Sequence, residues 1–215
     1  MPNAQYHLAG NIFQIPAGIL DEPFYTVGGP MYINFGSLGS VIGHEIMHGY
    51  DTRGREFDEI GQKKTWWSEE SIQAFDERKQ CFVEQFDNMT VYIPRENKRF
   101  NVSGNLTLSE NIADAGGIRA AYRAYESWRA GNGAEAMLVG MPGSMTWKKL
   151  FFLAAVQPFC QESTGLFMLY ITRVGPHTPS MARVKGLVMN TDDFSSAFQC
   201  PKGSPMNPTE KCQLW

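Results

Sequence analysis

No stretch of this 215-residue chain stays apolar long enough to cross a bilayer. The longest unbroken run, Leu150 to Val156, falls far short of the roughly 20 residues that a spanning helix needs. Positive charge is not in excess either: 19 Lys and Arg stand against 22 Asp and Glu, for a formal net charge of −3. That balance excludes the basic footprint of a nucleic-acid binder. The opening Met1-Pro2-Asn3 carries neither a basic nor an apolar stretch, so no signal peptide is expected. Histidine and cysteine are scarce, four of each, and no Cys-x-x-Cys pair offers a redox or zinc motif. Apolar surface is plentiful, at 43% hydrophobic and 13% aromatic residues. This supports one large packed domain or two small ones and argues against disorder.

Three glycosylation sequons, Asn88-Met89-Thr90, Asn101-Val102-Ser103 and Asn105-Leu106-Thr107, cluster in one polar stretch and point to the secretory pathway. Cys81, Cys160, Cys200 and Cys212 then read as disulfide formers in an extracellular or cell-surface protein. Four buried thiols in a cytosolic protein satisfy the count as well. An extracellular protein without a targeting segment is expected to be part of something longer.

The coarse pattern is mainly α with a small β element at the start. Tyr6 to Ile15 reads as a hairpin around Ala9-Gly10-Asn11, and residues 16–37, with three prolines and four glycines, as loop. Ser37 or Ser40 is expected to cap a helix running to about Tyr50, and Ser68 to cap one through the eighties. Thr107 or Ser109 opens a third helix reaching about Trp128. Thr146 to Phe159 forms a fourth, ended near Pro158, and the remainder is mixed helix and loop.

The chemistry concentrates in His44-Glu45-Ile46-Met47-His48. Positions four apart project from one helical face, so both imidazoles reach one metal ion, and Glu45 between them can take a proton from water. Chance yields about 0.005 such patterns in a chain of this composition. Zinc needs a third protein ligand and an open fourth position. The other histidines are His7 and His177, so a carboxylate becomes a candidate. Glu110 and Asp114, four apart in Glu110-Asn111-Ile112-Ala113-Asp114, suit ligand and supporting acceptor. Gly116-Gly117, which follows, suggests close backbone packing. A purely structural zinc would be closed by a fourth Cys or His, and none is suitably placed.

These motifs, with Gly49-Tyr50-Asp51 after the second histidine, resemble the zinc site of the neprilysin and endothelin-converting-enzyme family, gluzincin endopeptidases with a thermolysin-like core. Asn3-Ala4-Gln5-Tyr6 is similar to the family's substrate strand, and Cys212-Gln213-Leu214-Trp215 to its terminus. The resemblance covers residues 1–215 as the C-terminal catalytic region of a larger ectodomain. It implies one zinc ion held by His44, His48 and Glu110, Glu45 as general base, and Asp51 and Asp114 orienting His48 and His44. Asn3 and Ala4 would hold the substrate backbone, His177 would stabilise the oxyanion and Arg183 would grip the substrate carbonyl. Phe24, Pro158 and Phe159 would line the apolar pocket for the residue after the scissile bond; core packing explains them equally well. Gly175 departs from the pattern, standing where some members carry an aspartate that orients the histidine. The implied partners are small peptides, the N-terminal half of the same polypeptide and a membrane reached only through an N-terminal anchor. Four cysteines allow three internal connectivities. The resemblance implies one bridge, Cys81–Cys212, with Cys160 and Cys200 bonding to the N-terminal half.

Two rivals stand beside a zinc endopeptidase. A catalytically silent ectodomain serving as a binding or signalling module has no need of the intact Glu45. An aminopeptidase on the same core would carry a Gly-x-Met-Glu-Asn motif, which is absent.

Overall fold

A computed structural model describes residues 3–214. The hairpin forms as expected, with β1 (Gln5–His7) antiparallel to β2 (Ile12–Gln14) and Tyr6 opposite Phe13. The next helix does not start at Ser37 or Ser40. It begins behind Pro30 with α1 (Met31–Asn34), widens into a π-helical turn over Phe35–Gly39, and continues as α2 (Ser40–Met47). The loop expected through residue 37 therefore ends seven residues early. Within the π-helical turn Ser37 Oγ lies 2.6 Å from the Phe24 carbonyl oxygen and 2.9 Å from that of Ile33. The Leu38 N–H also donates to the Phe24 carbonyl, at 3.0 Å, which straps the Phe24 loop to the side of the helix.

Ser68 caps α3 (Glu69–Asp87) as expected, accepting from the Ser71 N–H at 3.2 Å. A second hairpin, unanticipated from the sequence, follows: β3 (Thr90–Ile93) pairs with β4 (Lys98–Asn101). Pro94 and the basic Lys98-Arg99 mask its alternation. The next helix, α4 (Leu108–Asn132), runs four residues beyond Trp128, and its N-cap Thr107 makes no side-chain cap bond to it. Thr146 caps α5 (Trp147–Val156), which passes into a single 3₁₀ turn over Gln157–Phe159. Three short helices follow: α6 (Gly165–Val174), α7 (Ser180–Met189) and α8 (Asp192–Phe198).

Two apolar clusters flank α4. Tyr122, Tyr125, Phe151 and Phe152 pack it against α5; Phe75, Phe82, Phe86 and Ile112 pack it against α3. Each fully buried aromatic contributes about 2–3 kcal/mol of burial, so α4 is the axis to which the rest is fastened. The Cys81–Cys212 disulfide secures the C-terminal tail to α3, with Leu214 buried in the second cluster, while Cys160 and Cys200 are unpaired. Trp215 of the terminal motif lies outside the described residues. No helix among the described residues is long and apolar enough to cross a membrane.

Candidate metal centre and active-site cleft

Where α2 crosses α4, glycines face each other. A Cβ on Gly43 would sit 2.5 Å from the Gly117 carbonyl oxygen, and one on Gly117 would sit 2.5 Å from the His44 amide nitrogen. Any larger residue would force the helices apart. Glu110, Asp114 and Gly117 fall at i, i+4 and i+7, one stripe of α4, and that stripe faces the histidine helix. The expectation from Gly116-Gly117 is met at Gly117.

This approach brings the donors together. Glu110 Oε2 lies 3.3 Å from His44 Nε2 and 3.8 Å from His48 Nε2, and the two Nε2 atoms are 3.0 Å apart. One atom from each residue lies within 4.8 Å of the others, a set that could hold a metal ion. The outer nitrogens have their own carboxylates: His48 Nδ1 lies 2.7 Å from Asp51 Oδ2, and His44 Nδ1 2.8 Å from Asp114 Oδ1. The second is a close charge contact off the axis of an aligned hydrogen bond. With the outer nitrogens turned to these carboxylates, the inner ones face a shared point together with Glu110 Oε2, a buried oxygen that has no aligned donor. A cation at that point would replace the protons that otherwise have to separate the three groups. The imidazole and carboxylate donors suit zinc and leave a position open.

The surrounding charges are strongly perturbed. Burial opposes charging His44, yet the carboxylates of Asp114 and Glu110 outweigh it and push its pKa up to about 9. Burial raises Glu110, but the imidazoles of His177 and His44 hold it far below the usual carboxylate range. Asp114, also opposed by burial, is brought down to about 2, chiefly by Arg183. Glu45 shifts the other way: burial pushes its carboxyl up, only partly offset by the two histidines. A buried carboxyl with raised proton affinity is a better base near neutrality than a solvated one.

A cleft of about 750 Å³ opens over these residues, and Asn3, Ala4, Phe24, Phe159, His177 and Arg183 are among its walls. Pro158 and Glu45 line it too. Asn3 is exposed, whereas Ala4 is buried against Ile19 and Leu38. The Leu38–Phe24 strap described above holds Phe24 in place. His177, half exposed, has Nε2 2.9 Å from Glu110 Oε2. Gly175 ends α6 in extended geometry. Arg183 is less free than a substrate-gripping arginine would be. Its Nε and Nη2 donate to the two oxygens of Asp114 at 2.6 and 2.8 Å, and its guanidinium lies 4.8 Å from the Phe159 ring centre. Asp114 thus serves His44 and Arg183 together, a link spanning 69 residues that no local pattern signals. Sequence reasoning also passed over Arg53, which lines the cleft and follows the zinc motif too closely to stand out.

Known proteins share this arrangement of chain. The profile described as peptidase family M13 matches residues 3–214. Endothelin-converting enzyme 1 of Cavia porcellus is 44% identical over 215 residues, covering 100% of this chain and 28% of that protein. Neprilysin-1 of Caenorhabditis elegans is 39% identical over 213 residues, covering 99% and 28%. Among solved structures, Mycobacterium tuberculosis zinc metalloprotease ZMP1 in complex with an inhibitor superposes with a TM-score of 0.90 at 30% identity, over 99% of this chain and 32% of that one. PEPO from Lactobacillus rhamnosis HN001 gives 0.79 at 29%, over 96% and 30%. The chain therefore spans about 28% of the length of the two relatives. A profile that runs from one limit of the described residues to the other, over a fold whose helix crossing assembles a zinc-type donor set, places it: this chain belongs to peptidase family M13.

Proposed function

We propose that this chain is the catalytic region of a zinc-dependent endopeptidase that cleaves oligopeptides and favours an apolar residue after the scissile bond. One observation carries the reading: Glu45, buried and raised in proton affinity, lies between two histidines whose inner nitrogens converge with Glu110 at the floor of a cleft. His44, His48 and Glu110 would hold one zinc, which when bound acidifies water to about pKa 7 and polarises a carbonyl. Glu45 takes the proton of the attacking water and passes it to the amine released as the C–N bond breaks. His177, and the Arg183 donors not spent on Asp114, offer hydrogen bonds where negative charge gathers on the carbonyl oxygen. Asp51 and Asp114 hold the imidazoles at their angles. Asn3 and Ala4 offer backbone groups to an extended peptide, and Phe24 and Phe159 supply apolar wall.

The setting follows from the same features. The Cys81–Cys212 bridge favours an oxidising, extracellular or cell-surface location, and Asn88, Asn101 and Asn105 are all exposed to accept glycans. Exposed Cys160 and half-buried Cys200 suit bonds to the rest of a longer polypeptide. The test is turnover of a quenched-peptide panel, varied at the residue after the cut, by the zinc-loaded full-length protein and its Glu45→Gln variant. Removing the base should cost about 10²–10⁴-fold while zinc is retained. Near-normal turnover in the zinc-loaded variant refutes the mechanism, and equal cleavage of apolar and polar members refutes the pocket assignment.

A further inference from the structure

Among the described residues, two arginines line the cleft, and only one of them is committed to a carboxylate. Arg183 is spent largely on Asp114, and Asp51 on His48 and two backbone amides. Glu110 faces the imidazoles. Arg53 lines the same cleft, is exposed, and has no carboxylate partner among the described residues. Its backbone is nonetheless firmly placed. The N–H groups of Arg53 and Gly54 both donate to Asp51 Oδ1 at 2.7 Å, and the other oxygen of that carboxylate meets His48 Nδ1. The Arg55 N–H returns to the Asp51 carbonyl at 3.2 Å, and Gly54 packs on the His48 carbonyl with no room for a Cβ. An unpaired cation is thus tethered two residues from the carboxylate that orients a metal-site histidine.

We infer that Arg53 is a specificity-determining residue that recognises a carboxylate on the peptide, either an acidic side chain or a free C-terminus. This rests on the peptidase reading above. A guanidinium stays charged throughout the working pH range and matches a carboxylate with paired donors. A charge-assisted bond of this kind at a cleft wall corresponds to about tenfold in selectivity, weakened by salt because the group is exposed.

The experiment uses the zinc-loaded full-length protein and one neutral quenched peptide in three forms: amidated, with a free C-terminus, and amidated with Glu at successive positions. The expected result is a kcat/KM about tenfold higher for one acidic form than for the amide, arising in KM and shrinking as salt is raised. The acidic form that gains identifies the source of the carboxylate. The preference should fall to about unity in Arg53→Gln, survive in part in Arg53→Lys and reverse in Arg53→Glu. Equilibrium binding of the same peptides to the Glu45→Gln protein should show the same ratio without turnover. A wild type that cleaves none of the peptides overturns the peptidase reading and this inference with it. A wild type that cleaves them without preference, or whose preference survives Arg53→Gln, overturns this inference alone.

Discussion

Gly117→Ala tests whether the helix crossing sets the spacing of the metal site. By propensity alone the substitution should help, since alanine in a helix interior is worth about 1 kcal/mol over glycine. Sterics reverse the sign. The new Cβ would lie 2.5 Å from the His44 amide nitrogen and 2.8 Å from its Cα, against 3.4 Å at the start of ordinary contact, so α4 and α2 must part by about 0.9 Å. The atoms met are backbone, which cannot turn aside as a side-chain tip can. Overpacking of this kind costs about 1–3 kcal/mol, leaving a net loss of up to about 2 kcal/mol after the propensity gain. Because Glu110 and Asp114 share the stripe of Gly117, the displacement carries both away from His44, from which Glu110 Oε2 is now 3.3 Å. A shift near 1 Å at a reacting centre can cost about 10²-fold. Gly131→Ala is the control, being in the same helix with nothing within 4 Å of its added Cβ. Urea midpoints and bound zinc after dialysis should separate the two variants: Gly131→Ala neutral or stabilised with zinc retained, Gly117→Ala destabilised and zinc-poor. If Gly117→Ala matches the control in both measurements, the crossing does not set the ligand spacing.

Two further outcomes follow from the same geometry. Glu110→Val should lose zinc on dialysis, measured by mass spectrometry, because two imidazoles alone hold it weakly; a full equivalent retained would expose another ligand, with His177, 2.9 Å from Glu110 Oε2, the first to examine. Cys81→Ser should lower unfolding free energy by about 4–5 kcal/mol through loop-closure entropy, the bridge spanning 131 residues. Denaturant titration under non-reducing conditions measures this, and a loss below about 1 kcal/mol would contradict the entropic account.

The periodicity of a single helix was legible without coordinates. His44 and His48, and Glu110 and Asp114, are each four apart, so the backbone alone puts each pair on one face. Ser68 and Thr146 announce their helices because a cap bond reaches only three residues along the chain. The Cys81–Cys212 pairing needed the family resemblance, since the count left three connectivities open. The β3–β4 hairpin escaped notice because Pro94 and charged residues mask its two-residue alternation. Ser37 looked like a cap because nothing nearby in the chain shows that its hydroxyl and the Leu38 amide are drawn to Phe24, 13 and 14 residues earlier.

The sequence by itself determined which residues could make a metal site; tertiary structure alone decided how they meet. Local spacing follows from the fixed rise and turn of a helix, but the bearing of one helix on another depends on side-chain volumes summed over the core. That is why the Gly43–Gly117 contact, the doubled role of Asp114 between His44 and Arg183, and the place of Arg53 in the cleft wall emerge only once α2, α4 and α7 are packed. Each depends on groups brought together from distant parts of the chain, and no periodicity within one segment records such a meeting.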